Sequence, residues 1–319
     1  MVIVMTVSEA VKWLSERDGF IIVTHKKPDG DTLGCAAALS EGLRRAGKTA
    51  YVLPNPETTD RYIGYMGEYF APSDFVPEHI VAVDTASQGM FPRGYEEKLS
   101  GKVELCIDHH PSNELYAENT CLDASCAACG EIIFDLLSEL NGGITAKEAD
   151  FLYIAVSTDT GCFAYANVTD RTFRCAAECF AAGADVHAIN KDIFRTKTRK
   201  RISLEAGIFS EMEFYGGGRI AVVMLPKTTL EKYGVDENDL EDVAALPGIV
   251  EGVEASMIIR ELDDGKTKVS MRSGETVNSC EICRKFGGGG HAMAAGCTCT
   301  MPLEEMRGAI VAETEKALR

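Results

Sequence analysis

Four times in its first 161 residues this chain runs out of an apolar segment directly into acidic or imidazole side chains. Thr24-His25-Lys26-Lys27-Pro28-Asp29-Gly30-Asp31 follows the β-branched run Phe20–Thr24. Val83-Asp84-Thr85 and Ile107-Asp108-His109-His110-Pro111 each close another short apolar run, and Thr158-Asp159-Thr160-Gly161 ends an apolar helix. The runs Phe20–Thr24, Thr49–Leu53, His79–Asp84 and Val103–Ile107 have the length and composition of buried strands. They alternate with helical stretches, one from Asp31 to about Arg45 and another over Ala127–Leu140. Such alternation predicts an α/β fold with a parallel sheet covered on both faces. In an open sheet of that kind the carboxyl ends of the strands line the binding crevice. Three of the four segments therefore converge there, and the fourth can reach it.

Taken singly, each motif has an ordinary explanation. An Asp after a strand is commonly a turn residue or a helix cap, as Asp31 would be, and Pro-Asp-Gly-Asp is a common turn composition. Together they demand more. Converging carboxylates repel one another and cannot all stay ionised and buried without cations. Carboxylates mixed with imidazoles, and with no cysteine among them, suit a pair of divalent ions of borderline character. Mn²⁺ leads, with Mg²⁺ or Co²⁺ as alternatives.

At 319 residues the chain is long enough for two domains. The pattern changes near the basic stretch Lys191–Arg201, which sets the expected divisions at residues 1–190, a connection over 191–212, and a smaller α/β domain with a mixed sheet over 213–319. In that second half the reading is a strand (Arg219–Leu225), two helices, and a hairpin of Glu254–Leu262 and Lys266–Arg272 about an Asp263-Asp264-Gly265 turn. A short helix (Ser279–Phe286), a glycine loop, a strand near Cys297–Met301 and a terminal helix follow. A capping box, Thr145 with Glu148, opens the helix that leads to Asp159. The first residues read as an amphipathic helix from about Ser8 to Gly19, with neither a secretory signal nor a membrane span.

The net charge of -17 argues against binding long nucleic acid but not against a small phosphorylated ligand served by local positive charge. The 12 cysteines lie largely in apolar or helical patterns, which points to a reducing, cytoplasmic setting. Cys126-x-x-Cys129 and Cys280-x-x-Cys283 have zinc or redox spacing, yet no histidine cluster accompanies them, so no structural zinc is expected. The basic residues Arg195, Lys197, Arg199, Lys200 and Arg201 read as a solvated charge run.

As an ordered set, these segments resemble the motifs of the DHH phosphoesterase superfamily. His25-x-x-x-Asp29-x-Asp31 is similar to its first motif, Asp84 to its second, Asp108-His109-His110 to its third and Asp159-Thr160-Gly161 to its fourth. Lys27 stands where the family often has Asn, outside the expected ligands. Val269-Ser270-Met271-Arg272-Ser273 and Gly287-Gly288-Gly289-Gly290-His291 resemble the DHH-associated domain, so the likeness spans nearly the whole chain. It implies a first metal held by His25 and Asp29 and a second by Asp31, His109 and Asp159, with Asp84 bridging. Asp108 would orient an imidazole ligand, and His110 would face the substrate. Hydrolysis by metal-activated water, without a covalent enzyme intermediate, is the implied reaction.

The glycine run before His291 would let N–H groups close around a phosphate. Gly288, Gly289, Gly290, His291, Arg272 and Ser273 are the expected substrate contacts, Arg272 as a bidentate donor. A substrate anchored there and cut at the metals would span only a few nucleotides. The resemblance within the superfamily is to the standalone nanoRNase and 3'-phosphoadenosine 5'-phosphate (pAp) phosphatase type. Expected substrates are therefore short RNA and pAp, with no membrane partner, and the family resemblance adds a homodimer. A cyclic-di-AMP or linear pApA phosphodiesterase is the alternative; a pyrophosphatase and a non-catalytic nucleotide-binding regulator rank lower.

Overall fold

The structure, a computed structural model, describes residues 3–235, 240, 243–262 and 264–318. The chain divides into two compact units, Met1–Thr196 and Lys197–Arg319. The first runs β1 (Ile3–Met5), α1 (Val7–Ser15), β2 (Phe20–Val23), α2 (Gly30–Arg45), β3 (Ala50–Val52), α3 (Asp60–Met66), β4 (His79–Val83), α4 (Glu96–Leu99), β5 (Leu105–Asp108), β6 (Asn119–Leu122), α5 (Cys129–Asn141), α6 (Ala146–Asp159), α7 (Asp170–Ala182) and α8 (Val186–Asn190). Its six strands lie in the order β1-β6-β5-β4-β2-β3, and every pairing is parallel. The chain steps from β2 outward to β3, then returns to the opposite side of β2 for β4. The order therefore reverses between β2 and β4, and a crevice at such a switch point is where open α/β sheets bind ligands.

Both faces of this sheet are buried. Val81, Val83, Leu105 and Ile107 point into one core with Leu33, Leu39, Ile132 and Ile154, whereas Ala82, Val23 and Cys106 point into a smaller one with Phe91, Leu99 and Val103. That is the two-residue alternation of a strand covered on both sides. The four expected strands are β2 to β5. Two more, β1 and β6, went unpredicted: β1 has only three residues, and β6 (Asn-Thr-Cys-Leu) owes its burial to its neighbours rather than to an apolar pattern. The N-terminal helix begins at Val7, one residue after Thr6, whose capping box with Glu9 starts it.

Two glycines one turn apart set how α2 meets α6. A Cβ at Gly34 would stand 2.5 Å from the Phe151 carbonyl oxygen, and one at Gly30 would collide with the Thr158 side chain. Their absence of side chain lets the two helices approach backbone to backbone, which brings the start of α2 beside the end of α6.

The second unit contains α9 (Arg199–Ser210), β7 (Glu213–Tyr215), β8 (Ile220–Leu225), α10 (Lys227–Tyr233), β9 (Ala255–Glu261), β10 (Thr267–Ser273), α11 (Ser279–Arg284), β11 (Gly289–Gly290), β12 (Ala294–Cys299) and α12 (Leu303–Ala317), with a 3₁₀ turn over Val243–Ile249. Its strand order is β11-β12-β10-β9-β8-β7; β8 and β9 run parallel and the other neighbours antiparallel, giving the expected mixed sheet. The expected hairpin is β9 and β10; Asp263 of its turn lies outside the described residues. The stretch 191–212 is not extended: Lys191–Arg195 forms a π-turn and α9 occupies most of the remainder. Lys197 and Arg201 both reach the Glu205 carboxylate at 2.7 Å, so part of the basic run holds α9 in place.

The helix contact carries a direct prediction. Gly34→Ala should destabilise the protein by roughly 1–3 kcal/mol, because the added methyl meets backbone that cannot rotate away. Gly64→Ala, in α3 with nothing within 4 Å of the new methyl, should instead stabilise by about 0.5–1 kcal/mol. Urea unfolding of both variants measures the two shifts.

Candidate metal centre

The carboxyl ends of β2, β4 and β5 and the last residue of α6 meet, as the sequence pattern requires. Among the described residues three overlapping groups bring metal-ligating atoms together: His25, Asp29 and Asp84; Asp31, His109 and Asp159; and Asp84, His109 and His110. Within each group one ligand atom from every residue lies within 4.8 Å of the others. All six expected ligands are thus gathered in one place.

Local structure aims each of them. Asp29 is the N-cap of α2, accepting from the N–H groups of Asp31 (3.1 Å) and Thr32 (3.2 Å). The cap expected at Asp31 is therefore provided by Asp29. Asp31 is almost fully buried, and its carboxylate receives the N–H groups of Cys129 (2.7 Å) and Gly130 (3.0 Å). These are the first two residues of α5, whose unpaired N–H groups and dipole favour a negative charge there. Asp84 sits at φ 51, a left-handed conformation unusual for aspartate. Its surroundings over-determine that strain: its own N–H donates to Ile107 O, and the hydroxyls of Thr32 and Thr85 both bind Val83 O.

The imidazoles report their tautomers. His25 Nδ1 lies 2.8 Å from Lys26 O and His109 Nδ1 lies 3.1 Å from Cys126 O. A carbonyl only accepts, so each Nδ1 carries a proton, and in its neutral form each ring would point an Nε2 lone pair inward. His25 Nε2 faces Asp29 Oδ1 at 3.6 Å and Asp84 Oδ2 at 3.7 Å. His109 Nε2 faces Asp84 Oδ1 at 3.5 Å, Asp159 Oδ2 at 3.6 Å and Asp31 Oδ2 at 3.8 Å. These separations are too long for good hydrogen bonds. Two donors sharing an ion at about 2.0–2.2 Å each stand roughly 3–4 Å apart, which matches. Asp84 Oδ1 is buried with no hydrogen-bond partner, a costly position unless a cation meets it. The residues fit a divalent metal.

The electrostatics agree. Burial, then Asp84 and Asp159, drives the Asp31 carboxyl well above the usual range, and burial followed by Asp84 lifts Asp159 to about 7. Burial opposes charge on the imidazoles, yet the facing carboxylates outweigh it: Asp29 and Asp84 raise His25 to about 9, and Asp84, Asp31 and Asp159 raise His109 to about 10. The protein's own groups fall short of balancing this cluster, and divalent cations would do so.

Asp108 behaves differently from expectation. It orients His110 rather than the expected ligand His109: its Oδ1 lies 2.8 Å from His110 Nδ1 and also accepts the N–H groups of His109 and His110, while Asn113 Nδ2 donates to Oδ2 at 2.6 Å. Backbone carbonyls do the orienting of His25 and His109. Asn113 was invisible to sequence reasoning, its only signal being its place five residues after Asp108. The Cys126-x-x-Cys129 spacing also finds a use, though not as thiols. Its backbone supplies the Cys126 carbonyl and the Cys129 N–H, while Cys126 itself lies in a turn before α5 rather than in a helix.

In the second unit Arg272 is the penultimate residue of β10, paired with Ser256 and Ala294, and His291 is exposed in the turn joining β11 to β12. The glycine run is not an open loop. Gly289 and Gly290 pair with Gly296 and Ala295 as an edge strand, and a Cβ at Gly290 would stand 2.6 Å from Ala294 O. Close backbone packing requires glycine at 288 and 290, whatever else these positions do. The Ser273 hydroxyl is engaged internally, with Val277 O at 2.6 Å and Ser279 Oγ at 2.8 Å.

Fold and site together define a phosphoesterase class. Residues 19–156 match the DHH family, N-terminal domain, and residues 217–319 match the DHHA1 domain; the chain belongs to the DHH family of phosphoesterases, and is a hydrolase. Among individual relatives, it is 33% identical over 279 residues to the bifunctional oligoribonuclease and PAP phosphatase NrnA of Thermus thermophilus, covering 87% of this chain and 83% of that protein. In fold it resembles an exopolyphosphatase-related protein from Bacteroides fragilis, with a TM-score of 0.89, 22% identity, and coverage of 98% and 97% of the two chains. It also resembles exonuclease RecJ bound to manganese, with a TM-score of 0.51, 15% identity, and coverage of 97% and 94%.

Cation binding here should be visible without any substrate. Mn²⁺ or Mg²⁺ at 100 times its dissociation constant should stabilise the fold by about 2.7 kcal/mol. Asp84→Asn should abolish most of that gain while leaving the metal-free protein folded. Thermal melts with and without cation test both statements, and an equal gain in the variant would exclude Asp84 as a ligand.

Proposed function

We propose that this DHH phosphoesterase hydrolyses short oligoribonucleotides and pAp at a centre of two divalent ions, with Mn²⁺ as the working metal. The supporting observation is the split of Asp84, whose Oδ2 faces His25 while its Oδ1 faces His109. On this reading His25 and Asp29 hold one ion, Asp31, His109 and Asp159 the other, and Asp84 belongs to both. Bound there, such ions supply Lewis-acid stabilisation of phosphoryl oxygens and a water acidified enough to attack at neutral pH.

The chain's own contribution is geometry and proton handling. Lys26 O and Cys126 O hold the ligand rings in one tautomer. Asp108 takes up His110 Nδ1, which leaves His110 Nε2 to face the substrate; the carboxylate also favours the protonated ring, a form that can donate to a phosphate or leaving oxygen. Arg272 and His291 contribute charge-assisted contacts to a terminal phosphate or nucleotide; the Gly288 N–H is already given to Cys283 O at 2.9 Å.

Support for the substrate class comes from the Thermus relative, named for activity on oligoribonucleotides and PAP, and from the net charge of -17, which disfavours long polyanions. Manganese is favoured by the mixed carboxylate–imidazole donor set and by its presence in the RecJ neighbour. A cytoplasmic location fits 12 free cysteines. No helix among the described residues is long and apolar enough to cross a membrane.

Purified protein with Mn²⁺ should release mononucleotides from short RNA and phosphate from pAp. Assays on short RNA, pAp, pApA, cyclic-di-AMP and pyrophosphate separate the readings, and turnover of pyrophosphate alone would overturn the substrate class. Asp84→Asn should abolish turnover. Arg272→Ala should raise KM about 10- to 150-fold with kcat little changed, the effect of losing one charge-assisted contact of roughly 1.5–3 kcal/mol made equally in ground and transition states.

A further inference from the structure

Behind the metal cluster lies a second polar network to which neither the family motifs nor the proposed mechanism gives a role. Arg171, at the start of α7, meets three acids: its Nη1 donates to Asp123 Oδ2 at 2.8 Å, its Nη2 to Asp135 Oδ2 at 2.6 Å, and its Nε stands 3.6 Å from Glu131 Oε2. Glu131 is 1% exposed. Its other oxygen accepts the Thr172 hydroxyl at 2.7 Å, and Oε2 has no hydrogen-bond partner, so Arg171 is the charge that compensates it. A buried carboxylate is an expensive element to retain where an apolar residue would pack.

Its position explains what it can do. Asp123 and Glu131 bracket the turn 126–130. Asp123 shapes the turn's entry, through its side chain to Ser125 and its carbonyl to the Cys126 N–H, and Glu131 lies in the first turn of α5. Between them come Cys126 O, which fixes the His109 ring, and the N–H groups of Cys129 and Gly130, which hold Asp31. The same segment is tied to Asp159, because Asn167 Nδ2 donates to both Ala127 O (3.0 Å) and Asp159 O (3.2 Å). Three ligand carriers therefore depend on one short turn, and Arg171 clamps both of its ends.

We propose that Arg171 and Glu131 are positioning residues for the metal centre, acting through the backbone of the 126–130 turn on His109 and Asp31. The proposal rests on the metal reading above. Groups behind a ligand that set its orientation commonly change metal affinity by about 10- to 100-fold when lost. The weakened site should be the one formed by Asp31, His109 and Asp159, whereas His25 and Asp29 take no support from this turn.

The test is Mn²⁺ binding to EDTA-stripped protein, followed by the electron paramagnetic resonance signal of free Mn²⁺. Arg171→Met and the isosteric Glu131→Gln should each weaken binding about 10- to 100-fold for one class of site, and excess Mn²⁺ should restore activity. Arg174→Ala, which breaks an exposed pair with Asp170 on the same helix, should leave affinity unchanged. If Arg171→Met does not fold, Glu131→Gln carries the test. Wild-type affinity in the Arg171 and Glu131 variants, with only melting temperature lowered, would overturn the positioning role. Failure of the wild-type protein to bind Mn²⁺ would overturn the metal centre itself.

Discussion

Four carboxylates share one end of the N-terminal sheet, and their mutual repulsion is the constraint around which that unit is organised. Asp29, Asp31, Asp84 and Asp159 come from three separate segments, and all of them crowd the two imidazoles His25 and His109. Ordinary folding would disperse such charges into water. Here the protein spends backbone donors on them: the start of α2 caps Asp29, and the start of α5 holds Asp31. Helix N-termini stabilise negative charge by their unpaired N–H groups and dipoles. The charge that remains is what divalent cations would neutralise, and phosphate ester hydrolysis would draw on that concentration of positive charge.

Position is obtained at the cost of backbone strain and side-chain volume. Asp84 adopts a conformation that L-residues avoid, and it is held there by Thr32, Thr85 and the Ile107 carbonyl. Gly30 and Gly34 surrender their side chains so that α2 can lie on α6 and bring Asp31 toward Asp159. Neither feature improves stability by itself. Both make sense as conditions for bringing ligand atoms from distant segments within ion-sharing distance.

Much of this is legible in the amino-acid sequence. Apolar runs ending on Asp or His marked β2, β4 and β5 and the end of α6, because burial of a strand and exposure of its end are local properties of composition. The strands β1 and β6 were not legible, since burial of Asn119 and Thr120 depends on flanking strands rather than on their own polarity. The glycine run before His291 suggested an open loop, yet Gly288 and Gly290 are needed where the backbone presses against β12. Asp108 pointed to an imidazole but not to which one; the answer, His110, came from ring orientation that spacing does not encode.

The sequence by itself determined the inventory: which donor types exist, which elements they terminate, and hence that a metal-binding crevice at a parallel sheet was the economical outcome. Tertiary structure alone decided the partnerships. That Asp31 meets the first N–H groups of α5, 98 and 99 residues further on, depends on strand order and on helix packing without intervening side chains. That Asp84 divides its oxygens between His25 and His109 depends on a left-handed turn stabilised from neighbouring segments. Periodicity reports whether a residue is buried. It carries no record of which remote backbone group will face it, because that is set only when the separate elements close into one core.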